Sequence, residues 1–188
     1  LALKRVVVGL SGASGIAYAH DLLRTLRQIP DLEIHLAATQ GARRVLVEET
    51  NLDPDTLEEL AHVVHRPSDI GASIASGSFR TVGMVIVPCS ATTLSKVALG
   101  LADNLITRAA YVHLKERRPL ILVPREAPLP LPSLEAMLKA AQAGATILPA
   151  SPGFYHKPQS IDDLLGFITQ RILDLLALEA PRSPRWKE

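Results

Sequence analysis

Five small residues, Ser11-Gly12-Ala13-Ser14-Gly15, follow the β-branched run Val6-Val7-Val8, and a helical pattern starts near Ile16. Small side chains in such a turn let backbone N–H groups approach an anion. The anion then sits at a helix N-terminus carrying about half a positive charge. The glycines at 9, 12 and 15 do not spell G-x-G-x-x-G, and no G-x-x-x-x-G-K-[ST] occurs. By itself the turn indicates an α/β protein with an anion site, and it also fits a turn kept small only for tight packing.

Cations that could meet an anion are few. Arg108 and Lys115 stand seven apart, on one helical face two turns from each other. Arg171 follows Leu164 and Ile168 along the apolar stripe of the last helix, where a charge must pair or reach an interface. Arg43, Arg44, Arg117 and Arg118 read as solvated surface. Cys89 has no neighbour in sequence that would lower its pKa and reads as a buried structural thiol. Asp162 and Asp163 open a helix, where acids complement the dipole, and the Asp-Asp-x-x-Asp pattern of magnesium-dependent prenyl enzymes is absent. His62, His65 and His156 have no carboxylate partner identifiable from sequence and read as surface or packing residues.

The elements that must carry these groups alternate. Apolar runs suited to buried parallel strands occur at Arg5–Leu10, Glu33–Thr39, Gly83–Pro88, Leu120–Val123 and Thr146–Leu148. Between them the spacing predicts helices at Ile16–Gln28, Ala42–Glu49, from Asp53-Pro54 to about Ala61, Asn104–Arg118, Ser133–Ala143, and from Ser160 onward. In the last helix Ile161, Leu164, Leu165, Ile168, Ile172 and Leu176 read as one apolar face. The expectation is a single doubly wound, Rossmann-like α/β domain over residues 1–179 with a mostly parallel sheet, and an irregular tail at 180–188. Polar and reactive residues gather just past the strand ends: Ser11–Gly15, Thr39, Ser90–Thr93, Arg125-Glu126 and Ser151–His156. In such sheets ligands bind outside the carboxyl ends of the strands.

Bulk properties exclude several classes. At 188 residues and 47% apolar, the chain suffices for one full core. A net charge of +1 offers no basic field for nucleic acid, and no apolar run approaches the ~18 residues that span a bilayer. One cysteine and six scattered histidines give neither an intramolecular disulfide nor zinc spacing. A cytoplasmic protein without a leader is expected.

Taken together, several blocks resemble the UbiX-type flavin prenyltransferases over nearly the whole chain. They are Ser11–Gly15, Ser76-Gly77-Ser78, Pro88-Cys89-Ser90, Arg108-Ala109-Ala110, Leu114-Lys115-Glu116-Arg117-Arg118-Pro119-Leu120, Pro124–Leu129 and Pro149–His156. The resemblance implies a Rossmann-like domain that binds FMN and joins a dimethylallyl group from dimethylallyl phosphate to N5 and C6 of the reduced flavin. No metal is implied. The product, prenylated FMN, would pass to a UbiD-type decarboxylase, and the assembly would be a homo-oligomer, a dodecamer in the family. Gly12, Ala13, Ser14, Thr39, Ser90, Ala91, Thr92, Thr93, Arg108 and Arg125 would then meet the flavin nucleotide. Lys115, Tyr155 and Arg171 would hold the dimethylallyl phosphate, and Ser14, Glu49 and Glu126 would serve the chemistry. One departure is visible: Tyr111 stands where the family has aspartate, on the face of Arg108 and Lys115.

Two other readings share the fold. An FMN-dependent cysteine decarboxylase would need an active-site histidine early in the chain, where only His20 and His35 occur, neither in the matching motif. Lys115, Tyr155 and Arg171 would have no evident task in such a decarboxylase, and the other reading is a flavin-binding or carrier protein without catalysis.

Overall fold

Near-continuous apolar strands with helices between them require cover on both faces. The computed structural model, which describes residues 3–180, supplies it. Strands β1 (Lys4–Leu10), β2 (Leu32–Ala38), β3 (Val63–His65), β4 (Gly83–Cys89), β5 (Leu120–Pro124) and β6 (Thr146–Ile147) form one six-stranded sheet, ordered β3-β2-β1-β4-β5-β6. Every pairing is parallel. The helices are α1 (Ile16–Leu26), α2 (Gln40–Glu49), α3 (Thr56–Glu59), α4 (Ala91–Leu99), α5 (Leu105–Lys115), α6 (Leu131–Gln142) and α7 (Ile161–Leu175).

Side chains alternate between two cores, as the strand period dictates. Val6, Val8, Leu10, Ile34, Leu36, Val85 and Val87 pack with Leu22, Leu23 and Leu26 of α1 and Ile168 and Ile172 of α7. On the other face Val7, Met84, Ile86, Leu120 and Leu122 pack with Leu94 of α4, Ile106 and Ala109 of α5 and Ala136 of α6. A buried hydrogen bond of 2.5 Å from the Thr169 hydroxyl to Asp21 ties α7 to α1. No helix among the described residues is long and apolar enough to cross a membrane.

Several expectations shift. The edge strand β3 was not anticipated, because three residues containing one histidine make no apolar run. Helix α4 begins at Ala91, where the sequence reading placed only a strand-end loop. The short helix is Thr56–Glu59 with Asp55 at its N-cap, so Pro54 precedes it rather than opening it. Helix α6 starts at Leu131 after Pro130, and Ser133 lies inside its first turn as a buried residue instead of capping it. The long helix stops at Lys115 because Arg117 turns left-handed at φ 54. On α7 Ile161 is exposed and the buried face runs through Gly166, Ile168, Thr169, Ile172 and Leu173. Ser160 and Asp163 there form a reciprocal capping box, which explains the acidic pair. Of the predicted tail only Ala180 is described; 181–188 lie outside the described residues.

The chain reverses its direction of growth between β1 and β4, which are neighbours in the sheet. At such a switch point the loops leaving the two strands diverge to opposite faces and open a crevice.

Candidate functional site

Ser11 closes the base of this crevice. Its hydroxyl donates to the Pro88 carbonyl at 2.9 Å and accepts from the Ser90 N–H at 2.7 Å, latching the end of β1 to the end of β4. The next residue passes so close to α2 that a Cβ on Gly12 would lie 3.1 Å from the backbone of Gly41. Gly15 then caps α1 at φ 107, a left-handed conformation that glycine adopts at no steric cost. Sequence reasoning read Ser11 only as part of the anion turn and gave Gly41 no role. The signal was a glycine two residues after Thr39, at the start of the next helix.

The N-terminus of α1, expected to receive a ligand anion, instead holds an anion of the protein. Glu49, at the end of α2, accepts the Gly15 N–H at 2.9 Å and the Ile16 N–H at 3.3 Å. Burial alone would raise its pKa. The Ser14 hydroxyl, the two N–H groups and the Arg125 charge outweigh that effect and hold the carboxyl below its usual range. Arg125 also donates through Nε to the Ser14 carbonyl at 3.2 Å. Ser14 and Arg125, just past the ends of β1 and β5, and Glu49, the last residue of α2, thus form one connected constellation.

A second helix start faces the same crevice. Ser90 caps α4, accepting the Thr93 N–H at 3.3 Å and donating to the Thr93 hydroxyl at 3.1 Å. The cap leaves the Ala91 and Thr92 N–H groups of the first turn without intrahelical partners. Ala91 and Thr92 are exposed while Thr93 is buried. Thr39 caps α2 in the same manner, accepting the Ala42 N–H at 3.1 Å. These features fit a flavin nucleotide. Unpaired N–H groups and hydroxyls at α4 suit its phosphate, and a side-chain-free floor at Gly12 admits a flat ring.

Other predicted residues fall at the edges of this arrangement. Glu126 accepts from the Ser133 hydroxyl at 2.7 Å, which accounts for a buried serine inside α6. The segment after β6 is fixed beside β5 by the Ala150 N–H donating to the Pro124 carbonyl at 2.9 Å. On that segment Tyr155, half exposed, meets Phe167 and His156 edge-on, while His156 stacks on Phe167 at 5.5 Å between centroids. Arg171 is exposed and paired with Asp174 at 2.9 Å, so its charge is met within its own helix.

Two predicted cations are elsewhere. Lys115, paired with Glu116, borders the Ser76-Gly77-Ser78 loop, and the Met84 N–H bonds to Pro119 just beyond it. That is the end of the sheet where β4 and β5 begin, opposite the crevice. Arg108 is exposed on the same helix, as is Tyr111, whose ring lies beside Gly100. Within one chain neither cation joins the Ser14–Glu49–Arg125 group.

The remaining candidates are structural. Burial pushes the Cys89 thiol up to about 12, which leaves it no thiolate at neutral pH. His35 is buried in β2, bonded to Glu33 and to His65 at 2.9 Å each, so His65 does have a route to a carboxylate. His20 lies in α1 with its pKa lowered by burial and by Arg24. Neither early histidine lines the crevice floor, which weighs against the cysteine-decarboxylase reading. No group of three metal-ligating side chains occurs among the described residues.

Comparison with known proteins identifies the family. The Flavoprotein family model matches residues 1–173. Flavin prenyltransferase UbiX of Deinococcus radiodurans is 58% identical over 184 residues, covering 98% of this chain and 94% of that protein. The crystal structure of AnUbiX (PadA1) in complex with FMN and dimethylallyl pyrophosphate superposes with a TM-score of 0.95 at 42% identity, covering 98% of each chain. A dodecameric FMN-dependent UbiX-like decarboxylase from Escherichia coli O157:H7 superposes with a TM-score of 0.95 at 41% identity, over 98% of this chain and 100% of that one. With its crevice at the β1/β4 reversal and relatives matched over almost their full length, the chain belongs to the UbiX-type flavin prenyltransferases of the Flavoprotein family.

Proposed function

We propose that the crevice binds reduced FMN and dimethylallyl phosphate and closes a prenyl-derived ring between flavin N5 and C6. The observation that carries this is the Ser14–Glu49–Arg125 constellation at the end of β1. Glu49 already fills the α1 N-terminus, so the α4 N-terminus with Ser90, Ala91, Thr92 and Thr93 takes the flavin phosphate. Gly12, Ala13 and Ser14 lie under the ring system, with Thr39 and Arg125 at its borders.

Bound reduced flavin supplies the nucleophilic nitrogen and ring carbon, so the protein contributes position and charge. Fixing the allylic ester against that nitrogen in near-attack geometry is worth roughly 7–11 kcal/mol of barrier. A monophosphate leaves with nearly two negative charges. In this reading Tyr155 and Arg171 meet it, and each fixed donor is worth about 2.7–4 kcal/mol to developing charge. Arg171 exchanges its Asp174 partner for the phosphate. Arg108 and Lys115, on the outer face of α5, act in the site of a neighbouring copy, consistent with the dodecameric relative. Ring closure consumes the allyl double bond, one of whose carbons takes up a proton while the flavin ring carbon would give one up. Glu49, ionised and hydrogen-bonded to Ser14, orients that hydroxyl to relay it, with Glu126 or the departing phosphate as the other acceptors. The prenylated FMN then serves a UbiD-type decarboxylase, and the setting is the cytoplasm.

Anaerobic incubation of the protein with reduced FMN and dimethylallyl phosphate, followed by mass spectrometry of the flavin, tests this. One added prenyl group is the expected result. Recovery of unmodified FMN identifies a carrier, and carbon dioxide released from a cysteine-ended peptide identifies a decarboxylase.

A further inference from the structure

Three rings meet where the segment after β6 packs on α7. The His156 imidazole lies nearly parallel to the Phe167 ring, 5.5 Å between centroids at an interplanar angle of 14°. Tyr155 stands across both, 5.8 Å from His156 at 77° and 5.7 Å from Phe167 at 74°. Stacked and edge-on contacts of this kind are those that the charge distribution of aromatic rings favours. Gly153 makes room for them. A Cβ there would lie 3.1 Å from the Phe167 ring and 3.2 Å from that of Tyr155.

The backbone of this segment is held at both ends. The Ala150 N–H donates to the Pro124 carbonyl of β5 at 2.9 Å. At the far end the Gln159 and Ser160 N–H groups donate to the Asp163 carboxylate at 2.8 and 3.1 Å. Between them the Lys157 N–H closes a turn on the Phe154 carbonyl at 3.0 Å, with Lys157 left-handed at φ 53. These bonds fix the chain and still leave the Tyr155 side chain its own torsions. The ring contacts remove that freedom.

His156 contributes a shape to this arrangement and not a hydrogen bond. Both of its ring nitrogens are buried, and neither has a hydrogen-bond partner among the described residues. An unpaired buried polar atom is unfavourable, so polarity is not what the position uses. What it presents is a flat face to Phe167 and a contact with Tyr155. Phe167 packs against the first core and stands four residues before Arg171, hence on the same side of α7.

We infer that His156 and Phe167 are positioning residues whose stacked rings fix the direction of the Tyr155 phenol, and through it the grip on the phosphate of the allylic ester. This rests on the reading above in which Tyr155 meets that phosphate. A phenol already held in place loses no rotamer freedom when the ester arrives, so the effect falls on ester affinity. FMN affinity, assigned above to other strand ends, is independent of the rings.

Steady-state kinetics, flavin fluorescence titration and fluorine NMR of the full chain labelled with 3-fluorotyrosine test it. The chain has three tyrosines, so Tyr155→Phe assigns the Tyr155 resonance by its loss. His156→Ala should raise KM for dimethylallyl phosphate about tenfold with FMN affinity unchanged. The Tyr155 resonance should move toward that of an unstructured tyrosine. His156→Phe keeps the stack and should restore both readouts, whereas His156→Gln keeps polarity and should restore neither. Phe167→Leu, which keeps apolar volume without a flat face, should behave like His156→Ala and guards against a local loss of folding in that variant. Rescue by glutamine in place of phenylalanine overturns the inference, as does an unmoved resonance in His156→Ala. A moved resonance with unmoved KM overturns it too, provided Tyr155→Phe itself raises KM. If Tyr155→Phe leaves KM unmoved, the phosphate reading of Tyr155 fails, and the resonance still decides whether the rings hold the phenol.

Discussion

Glu49 shows how a side chain's surroundings decide its role. A carboxylate that accepts two helix N-terminal N–H groups and a serine hydroxyl is well ionised and a weak base. Its value lies in orienting Ser14 and receiving a proton through it. Glu49→Gln keeps the shape and loses the charge, so FMN should stay bound while single-turnover prenylation slows by about 10²-fold or more. Unchanged rapid-quench kinetics would remove Glu49 from the chemistry. For Tyr155 and Arg171 a split in the parameters is expected. Arg171→Ala removes a charged donor worth about 1.5–3 kcal/mol, roughly tenfold or more in kcat/KM for dimethylallyl phosphate, with FMN affinity unmoved. Steady-state kinetics beside flavin fluorescence titration would read both. Ser14 was legible as part of a small-residue turn past a strand, whereas a role for Tyr155 came only from the family resemblance. The latch made by Ser11 was not legible, because it is a bond to a strand distant in sequence.

The site depends on how closely its elements approach one another. The first turn and the start of α2 touch through Gly12 and Gly41, backbone against backbone. Gly12→Val would drive its side chain into α2 and displace Glu49, which the same helix carries. Overpacking of this kind costs about 1–3 kcal/mol, and FMN binding should fall along with the urea midpoint. If only stability changed, the turn would be a packing feature and not the flavin floor. On the far side Thr169→Val removes the hydroxyl that meets Asp21, a buried charged acceptor, and should cost about 1.5–3 kcal/mol in urea unfolding with the flavin site intact. Helix boundaries were legible where caps were strong, as at Asn104 and Ser160, and illegible where proline or a left-handed residue set them, as at Pro130 and Arg117.

Across the fold, acid should be met first through a buried histidine. His113 lies inside the second core, its Nδ1–H donating to Ala109 and its Nε2 accepting from Thr81, and burial pushes its pKa down to about 4. A group with a depressed cationic pKa binds fewer protons folded than unfolded between the two values. Stability is therefore full above about pH 6.5 and falls as the pH drops toward 4, by about 3 kcal/mol in total. Urea unfolding across that range should show the slope, and His113→Asn should flatten it. An unchanged slope in the variant would assign the acid sensitivity to other groups.

Apolar periodicity was enough to determine five of the six described strands, six of the seven described helices, their parallel pairing and the doubly wound class, because local spacing follows from which faces must be buried. The same string of residues identified the small-residue turn and the hydroxyls past each strand, since strand ends are fixed once strands are. Only the tertiary structure decided which of those ends adjoin. It put Glu49 into the helix terminus expected to hold a ligand and left the exposed start of α4 open beside it. It separated Arg108 and Lys115 from the crevice. Each of these is a distance between residues far apart in sequence, and spacing along a chain carries no information about such distances.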